Sequence, residues 1–264
     1  MRANRLRELC AGGGAAINGW VQIPSGFAAE IMADQPWDSL TIDMQHGPVD
    51  YQAALGMLQA MSHKDPTPTV RVPWNEPGVI MKCLDAGAYG IICPMVNTAE
   101  QAEQFVKSCR YPPKGFRSFG PTRAMLYAGA DYPAHANDTV LTFAMIETKE
   151  AVDNLDAILD TEGLDGVYIG PADLCQSYGA KERVDLKEPE MVAVLDKILD
   201  GCKKRKLICG IHTMDPTYAR QCVEKGYQFV TIQSDGRLLA GACQEAIKVA
   251  RGEGGDGEKA GGPY

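Results

Sequence analysis

Charged and imidazole side chains stand directly after short apolar runs at several places in this sequence. Asp43 and His46 follow the run SerLeuThrIle, Arg71 closes the run ThrValArg, and Glu147 and Asp173 follow two later runs. Two neighbouring carboxylates repel each other unless a cation lies between them, and divalent cations such as Mg²⁺ and Mn²⁺ accept carboxylate oxygens. Glu147 and Asp173 are therefore candidate metal ligands. The alternative is that each acid caps the helix after its strand.

Arg71 and His46 are the candidates for bond-making chemistry. The planar guanidinium of Arg71 suits an enolate or carbonyl oxygen, and it could equally form a salt bridge to one of the nearby acids. A neutral imidazole is a natural proton acceptor near pH 7, provided that another group fixes its tautomer. Asp43 or Asp85 could orient His46 in this way. His212 also ends an apolar run, and its role stays open.

The positions of the lysine, serine and cysteine residues argue against covalent catalysis. An aldolase that forms a Schiff base needs a lysine inside its core, but no lysine lies in any of the candidate strands, and Lys149 is the nearest to a strand end. The chain has no GxSxG motif and no cysteine placed as an obvious Cys/His pair. Metal-assisted chemistry remains. An ion with two protein oxygens keeps positions for a substrate that chelates through adjacent oxygens, as 2-oxo acids do.

The apolar runs that carry these residues alternate with segments of helical period along the chain. The candidate strands are 20–23, 39–43, 69–72, 90–94, 141–146, 166–169, 208–212 and 229–233; the candidate helices are 26–33, 51–61, 76–86, 98–109, 149–159, 189–204, 216–225 and 237–250. This order predicts a single-domain α/β fold, a (β/α)8 TIM barrel over residues 1–251, with catalytic groups at the carboxyl ends of the strands. A doubly wound open sheet competes, but the first candidate strand is not followed by a glycine-rich phosphate loop.

Two segments fall outside this alternation. The Pro/Gly/Arg-rich connection 110–138 is too long for a plain turn, so we expect an active-site or subunit-contact loop. Its residues Arg117 and Arg123 could recognise a carboxylate on the aldehyde acceptor, or they could support the loop or the oligomer. The Gly-rich tail 252–264 is expected to be disordered.

Composition excludes several classes of protein. The chain has 264 residues and a net charge of −8, and its one short basic run at 203–206 fits a solvated helix end, so no nucleic-acid partner is expected. No apolar run approaches the roughly 20 residues of a membrane span. The nine cysteines are an odd number without a CxxC pair, which predicts neither a disulfide framework nor a zinc ribbon. These features predict a cytoplasmic protein.

Five segments resemble, in order and spacing, the HpcH/HpaI family of class II pyruvate aldolases. They are TrpAspSerLeuThrIleAspMetGlnHisGly (37–47), ValArgValPro (70–73), TyrProProLysGlyPheArgSer (111–118), MetIleGluThr (145–148) and GlyValTyrIleGlyProAlaAspLeu (166–174). The similarity runs from about residue 15 to about residue 250. The resemblance implies reversible aldol cleavage of 4-hydroxy-2-oxo acids to pyruvate, or a related 2-oxo acid, and an aldehyde through a metal-bound enolate. It also implies a trimer-based homohexamer with an exchanged last helix.

The resemblance assigns roles to individual residues. It implies His46 as base, Arg71 as stabiliser of the enolate oxygen, and Asp85 as the acid that tunes His46. It implies Glu147 and Asp173 as ligands of Mg²⁺, Mn²⁺ or Co²⁺. The substrate-binding positions that it implies, besides Arg71, are Gly170, Pro171, Ala172, Asp173 and Met145.

Two positions depart from the family pattern. Family members usually carry Glu where this chain has Gln45, and often Gln where it has Met145, so the aldehyde partner or the metal affinity could differ. Two other classes of protein remain open. One is a citrate-lyase-type enzyme acting on an acyl-CoA, which needs a basic cluster for the CoA phosphates; the candidates are Arg110, Arg117 and Arg123. The other is a non-catalytic barrel that binds 2-oxo acids.

Overall fold

Eight parallel strands close into a barrel in the computed structural model, which describes residues 1–181 and 183–253. The strands are β1 (Ala16–Val21), β2 (Ser39–Asp43), β3 (Thr67–Arg71), β4 (Gly90–Cys93), β5 (Leu141–Ile146), β6 (Gly166–Ile169), β7 (Ile208–Thr213) and β8 (Phe229–Ser234). Each strand pairs in parallel with the next, and β8 pairs with β1. The barrel prediction is confirmed, and the open sheet is excluded.

Helices surround the barrel. They are α1 (Arg5–Ala11), α2 (Gly26–Ala33), α3 (Tyr51–Ala60), α4 (Pro77–Asp85), α5 (Ala99–Cys109), α6 (Thr122–Ala128), α7 (Tyr132–Thr139), α8 (Lys149–Asp153), α9 (Leu155–Leu159), α10 (Pro171–Ser177), α11 (Pro189–Arg205), α12 (Pro216–Lys225) and α13 (Asp235–Ala250). Side-chain caps start several of them: Asp50 accepts from the Ala53 N–H and Asp215 from the Tyr218 N–H. At the end of α12, Gly226 has a φ of 107°, a left-handed conformation that favours glycine.

The expected elements differ from the observed ones at several places. The first strand was expected at 20–23 but begins at Ala16, and the helix expected at 149–159 is two short helices that meet at Asn154. The helices α1 and α10 were not expected, because both are only seven residues long and short helices give little periodic signal. The tail expected at 252–264 lies, from residue 254 on, outside the described residues.

The connection 110–138 is not a plain loop. It contains α6 and α7, whose buried residues Ala124, Tyr132 and Ala136 pack with Tyr89 and Tyr111 in a separate hydrophobic cluster. None of its residues lines the cavity at the carboxyl ends of the strands. An active-site role within the same chain is therefore not supported, whereas the exposed Phe119 and Leu126 leave a subunit contact open.

Two apolar layers hold the barrel together. One lies inside it and includes Trp20, Phe143, Met145 and Tyr168. The larger one lies between the strands and the surrounding helices. Burial of these side chains is the main driving force for closing the barrel. No helix in the described part of the chain is both long enough and apolar enough to cross a membrane.

Candidate active site

A cavity of about 250 Å³ opens at the carboxyl ends of the strands, where barrel enzymes carry their active sites. The predicted site residues that line it are His46, Arg71, Met145, Glu147, Gly170, Pro171, Ala172 and Asp173. They come from four strands and the segments that follow them. Only Asp43 and Asp85 of the predicted set do not line the cavity.

Asp43 lies beneath the cavity and organises its floor. Its carboxylate accepts hydrogen bonds from Arg71 Nε and Nη2 at 2.8 and 2.7 Å and from the Gln22 side chain at 2.8 Å. It also accepts from the backbone N–H groups of Gln45 and His46. Its contact with His46 is thus through the backbone and not the imidazole. Asp43 fixes the loop that carries His46 and does not set the tautomer of the ring.

The electrostatics of this pair follow from its burial. Asp43 is fully buried, and burial alone would raise the pKa of its carboxyl. Hydrogen bonds and the charge of Arg71, with further hydrogen bonds from Gln22 and Trp20, outweigh burial and hold that pKa well below its usual range. The guanidinium of Arg71 also lies over the Trp20 ring, 4.9 Å from its centroid. Arg71 is therefore held in one orientation beside the cavity.

Glu147 follows β5 and is 2% exposed. Its Oε1 accepts the Met95 N–H at 2.7 Å. Burial, with the charge of Asp173, raises the pKa of the Glu147 carboxyl to about 7, although Met95 and Arg71 oppose the shift. Oε2 faces Gly170, where a Cβ would overlap it. Glycine at this position lets the backbone after β6 approach the carboxylate.

Asp173 lies in the first turn of α10 and is exposed. Asp173 and Glu147 line the same cavity, and the charge of Asp173 contributes to the raised pKa of Glu147. Among the described residues, the Asp173 carboxylate accepts no hydrogen bond from the first turn of α10, which has no side-chain N-cap, and Thr148 rather than Glu147 caps α8. Neither acid is therefore occupied as a helix cap. In the described part of the chain, no group of three or more His, Cys, Asp or Glu side chains gathers as a metal site, at this cavity or elsewhere. The role of Glu147 and Asp173 as a pair of metal ligands stays a prediction.

His46 is exposed at the cavity rim, and no described residue hydrogen-bonds to its imidazole. The expected partner Asp85 ends α4, which runs back toward the amino ends of the strands. There Asp85 forms a salt bridge of 2.7 Å with the buried Arg117. The chain's own Asp85 therefore does not contact His46.

Arg117 and Arg123 support the fold rather than the cavity. Arg117 stacks on Tyr111 and donates to the Tyr132 hydroxyl at 3.0 Å, while Arg123 donates to the Leu58 carbonyl oxygen at 3.0 Å. Neither lines the cavity. Of the two roles considered for these arginines, the structure favours structural support.

Comparison with known proteins agrees with this geometry. The family model for HpcH/HpaI aldolase/citrate lyase matches residues 19–242. The chain belongs to this family. The hydroxypyruvate/pyruvate aldolase of Rhizorhabdus wittichii is 41% identical over 94% of this chain and 99% of its own length. The 4-hydroxy-2-oxo-heptane-1,7-dioate aldolase of Escherichia coli is 35% identical over 91% of this chain and 92% of its own length.

A solved structure of this family has the same fold as this chain. A HpcH/HpaI aldolase/citrate lyase family protein from Burkholderia cenocepacia superposes with a TM-score of 0.87 at 31% identity, covering 93% of this chain and 98% of that one. The resemblance read from the five sequence motifs is thus confirmed at the level of the family. The match extends beyond the motifs to the whole barrel.

The two positions that are expected to depart from the HpcH/HpaI pattern occupy distinct environments. Gln45 has a buried side-chain oxygen, Oε1, with no hydrogen-bond partner in the described chain. Met145 is 1% exposed and forms part of the cavity wall beside Gly170. Met145 therefore presents a thioether to the cavity.

Sequence reasoning missed other parts of the cavity wall in this HpcH/HpaI family member. They include Trp20, Gln22, Tyr168 and Arg237. The sequence pattern predicts Trp20 and Tyr168 as ordinary core residues of a strand. It predicts Arg237 as an ordinary surface residue of the last helix. One available signal was their position at or near strand ends, because the side chains nearest the carboxyl end of a barrel strand face the mouth.

Proposed function

We propose that this protein catalyses the reversible, metal-dependent aldol cleavage of 4-hydroxy-2-oxo acids to pyruvate, or a related 2-oxo acid, and an aldehyde. One observation carries the proposal: a single cavity brings together the Arg71 guanidinium, the Glu147 and Asp173 carboxylates and the His46 imidazole. The names of the relatives from Rhizorhabdus wittichii and Escherichia coli support a carbon–carbon lyase with this substrate class.

The carboxylates of Glu147 and Asp173 fit a divalent cation such as Mg²⁺, Mn²⁺ or Co²⁺. A buried acid with a pKa raised toward neutrality by burial and by a second acid is stabilised when a cation neutralises the pair. Oxygen ligands suit these ions, and two of them leave coordination positions for water and substrate. A bound cation would polarise the keto group of a chelating 2-oxo acid.

The chain's own residues supply the remaining steps. In the cleavage direction His46 accepts the proton of the C4 hydroxyl, the C4 oxygen forms the aldehyde carbonyl, and the C3–C4 bonding electrons pass to the enolate of pyruvate. Arg71, fixed by Asp43, donates to the developing enolate oxygen. Proton return to C3 completes pyruvate. Condensation is the reverse of these steps.

Deuterium exchange tests the enolate half-reaction without knowledge of the aldehyde. Pyruvate is incubated in D₂O with the protein and each metal, before and after a chelator, and loss of the methyl signal is followed by proton NMR. We expect metal-dependent exchange that falls by about 100-fold or more in His46→Ala, and no change in His63→Ala, because His63 is exposed and does not line the cavity. A folded protein that exchanges with no metal, or a His46→Ala variant that keeps full exchange, would contradict the proposal.

A small 2-oxo acid fits the cavity better than an acyl-CoA. The arginines at 110, 117 and 123 were the basic residues considered for the CoA phosphates. Arg110 pairs with Asp165 at 2.7 Å, and the other two are engaged away from the cavity. These contacts leave that cluster unable to receive phosphates at the barrel mouth.

We further propose a homo-oligomer, a trimer-based hexamer in which α13 packs on a second copy. Asp235 is the only buried residue of α13. Leu239 and Val249 on this helix are 58% and 51% exposed, which leaves an apolar surface that association would cover. A second copy is also the route by which Asp85 could reach His46, since the chain's own Asp85 pairs with Arg117 near the other end of the barrel.

We infer a cytoplasmic location from the thiols. The described cysteines form no disulfide bond, and eight of the nine are buried. Proteins of oxidising compartments commonly use cysteines in disulfides, whereas reduced cysteines are typical of the cytosol. This pattern supports a reducing compartment.

A further inference from the structure

His212 is the penultimate residue of β7 and lines the cavity, yet the steps above do not use it. Its Nδ1 lies 3.3 Å from the Tyr168 hydroxyl, and its ring meets the Trp20 ring edge-on at 5.1 Å. The Tyr168 hydroxyl donates its one proton to Thr231 Oγ1 at 2.6 Å. The phenol oxygen can therefore only accept from His212, so Nδ1 carries the imidazole proton.

A buried polar network beneath the cavity keeps this arrangement in place. Asn18 donates to both Thr231 Oγ1 at 2.8 Å and Thr41 Oγ1 at 2.9 Å. All three residues are fully buried, as is Tyr168. Asn18 and Tyr168 both donate to Thr231 Oγ1, and loss of either bond would leave a buried polar group unpaired, which costs about 1–3 kcal/mol. The tautomer of His212 is thus set by Tyr168 and by the buried residues that hold the Tyr168 hydroxyl.

The other ring nitrogen, Nε2, is then a hydrogen-bond acceptor. It forms no hydrogen bond with any described residue, and the ring borders the cavity. Burial and the neighbouring Arg71, and also Arg237, lower the pKa of His212 to about 4, although Asp43 opposes them. The ring therefore stays neutral at physiological pH, and Nε2 offers a lone pair to the contents of the cavity.

We propose that His212 Nε2 accepts a hydrogen bond from a hydroxyl group of the substrate and so makes the site selective for hydroxylated over deoxy partners. This inference rests on the proposed aldolase function. The hydroxyl could come from a hydroxymethyl ketone nucleophile or from a 2-hydroxyaldehyde acceptor. A site built to accept a hydroxyl discriminates against the analogue that lacks it, because the buried acceptor is left unpaired.

Two matched pairs of substrates distinguish the sources. Hydroxypyruvate is compared with pyruvate using one common aldehyde, and glycolaldehyde with acetaldehyde using one common nucleophile. In His212→Phe we expect kcat/KM for the hydroxylated member of one pair to fall at least about 10-fold relative to its deoxy partner. His212→Gln, whose amide oxygen offers an acceptor near the Nε2 position, should restore part of this preference. Equal losses for all four substrates would overturn the proposal, because they would indicate a structural role.

Nitrogen NMR of protein labelled at histidine tests the tautomer independently of turnover. The signals of His212 are assigned by their loss in His212→Phe, and we expect protonated Nδ1 and unprotonated Nε2. In Tyr168→Phe, where the positioning phenol is absent, this tautomer should lose its dominance. With Mg²⁺ present, a hydroxylated ligand from the matched pairs should shift Nε2, and its deoxy partner should not.

The NMR result also separates failure of this inference from failure of the proposed function. A protonated Nε2, or identical responses to each hydroxylated ligand and its partner, would overturn the role of His212 even in an active aldolase. A protein that turns over none of the substrates while Nε2 still responds to hydroxylated ligands alone would keep the recognition and reject the aldolase reaction.

Discussion

Asp43 and Arg71 stand side by side on neighbouring strands, paired in register, and share two hydrogen bonds of 2.8 and 2.7 Å. Their side chains are 0% and 8% exposed as residues, so this is a buried ion pair. The Asp43 carboxylate accepts hydrogen bonds from Arg71 Nε and Nη2. The Nη1 group and the second proton of Nη2 therefore stay available to the cavity. One edge of the guanidinium is thus structural and the other is available to a substrate oxygen.

Breaking this pair should cost both stability and activity. Asp43→Asn leaves a buried guanidinium without its counter-charge, and we expect a loss of about 3–5 kcal/mol in the free energy of unfolding. The double variant Asp43→Asn, Arg71→Met removes the unpaired charge, so it should recover part of that stability without recovering pyruvate exchange. Urea unfolding and the NMR exchange assay measure the two quantities. A single variant as stable as the wild type would refute the structural role of Asp43.

Replacing Glu147 should separate metal binding from folding. In Glu147→Gln the carboxylate is lost while the shape is kept, so the metal-free protein should unfold at a higher temperature and Mn²⁺ should no longer raise that temperature. Binding at 100 times Kd stabilises a protein by about 2.7 kcal/mol, which gives the wild type a measurable shift. Glu150→Gln, on the exposed start of α8, is the matched control and should behave as the wild type. An unchanged metal response in Glu147→Gln would exclude Glu147 as a ligand.

Gly170 should tolerate no side chain. A Cβ there would overlap Glu147 Oε2 and approach the Met145 side chain, so Gly170→Ala should displace the carboxylate and weaken Mn²⁺ binding and pyruvate exchange together. The comparison is Gly56→Ala in α3, where nothing lies within 4 Å of the added carbon. That variant should gain about 0.5–1 kcal/mol from helix propensity and keep full activity. Calorimetric metal titration distinguishes the two; wild-type metal affinity in Gly170→Ala would count against the crowding argument.

Acid should destabilise the fold partly through His212. Its pKa of about 4 lies below the unfolded value of 6.5, so between these values the unfolded chain binds more protons and stability rises with pH. The contribution is complete above about pH 6.5 and is lost as the pH falls toward 4. Without metal, Glu147 acts in the opposite direction over this range, because its pKa is raised to about 7. In urea unfolding with chelator, the wild type should therefore lose about 1–3 kcal/mol more stability between pH 7 and pH 4 than His212→Phe does, and this additional loss is the His212 contribution. His63→Phe, which changes an exposed histidine, should retain it; the same pH profile in both variants would rule out His212 as the source.

Mixing two inactive variants tests whether Asp85 acts across a subunit interface. His46→Ala and Asp85→Asn should each show reduced pyruvate exchange alone. If the oligomer pairs His46 of one copy with Asp85 of another, unfolding and refolding the two together should restore part of the activity, since mixed oligomers contain intact sites. Light scattering verifies that both variants assemble. Absence of recovery in mixed oligomers of wild-type size would place the effect of Asp85 within its own chain.

Much of the architecture was predictable from the order of residues. The alternation of apolar runs and helical segments fixed the barrel, because parallel strands joined by helices close in only a few ways. That topology brings together Arg71, Glu147, Asp173 and His46, because each lies at the end of a strand or in the segment after it, and all the carboxyl ends meet at one mouth of the barrel. The boundaries of the elements were predicted less accurately than their order. The strand β1 begins four residues before the expected position, because Ala16–Gly19 carries a weak strand signal.

The tertiary structure decided the partner of each side chain. Asp43 could have oriented His46, but it pairs with Arg71 from the neighbouring strand. Asp85 could have reached His46, but α4 carries it toward the other end of the barrel, where Arg117 holds it. The tautomer of His212 depends on Tyr168, 44 residues earlier. Local sequence determines strand, helix and strand end, whereas hydrogen-bond partners are chosen by distances across the closed barrel that exist only once distant segments have packed.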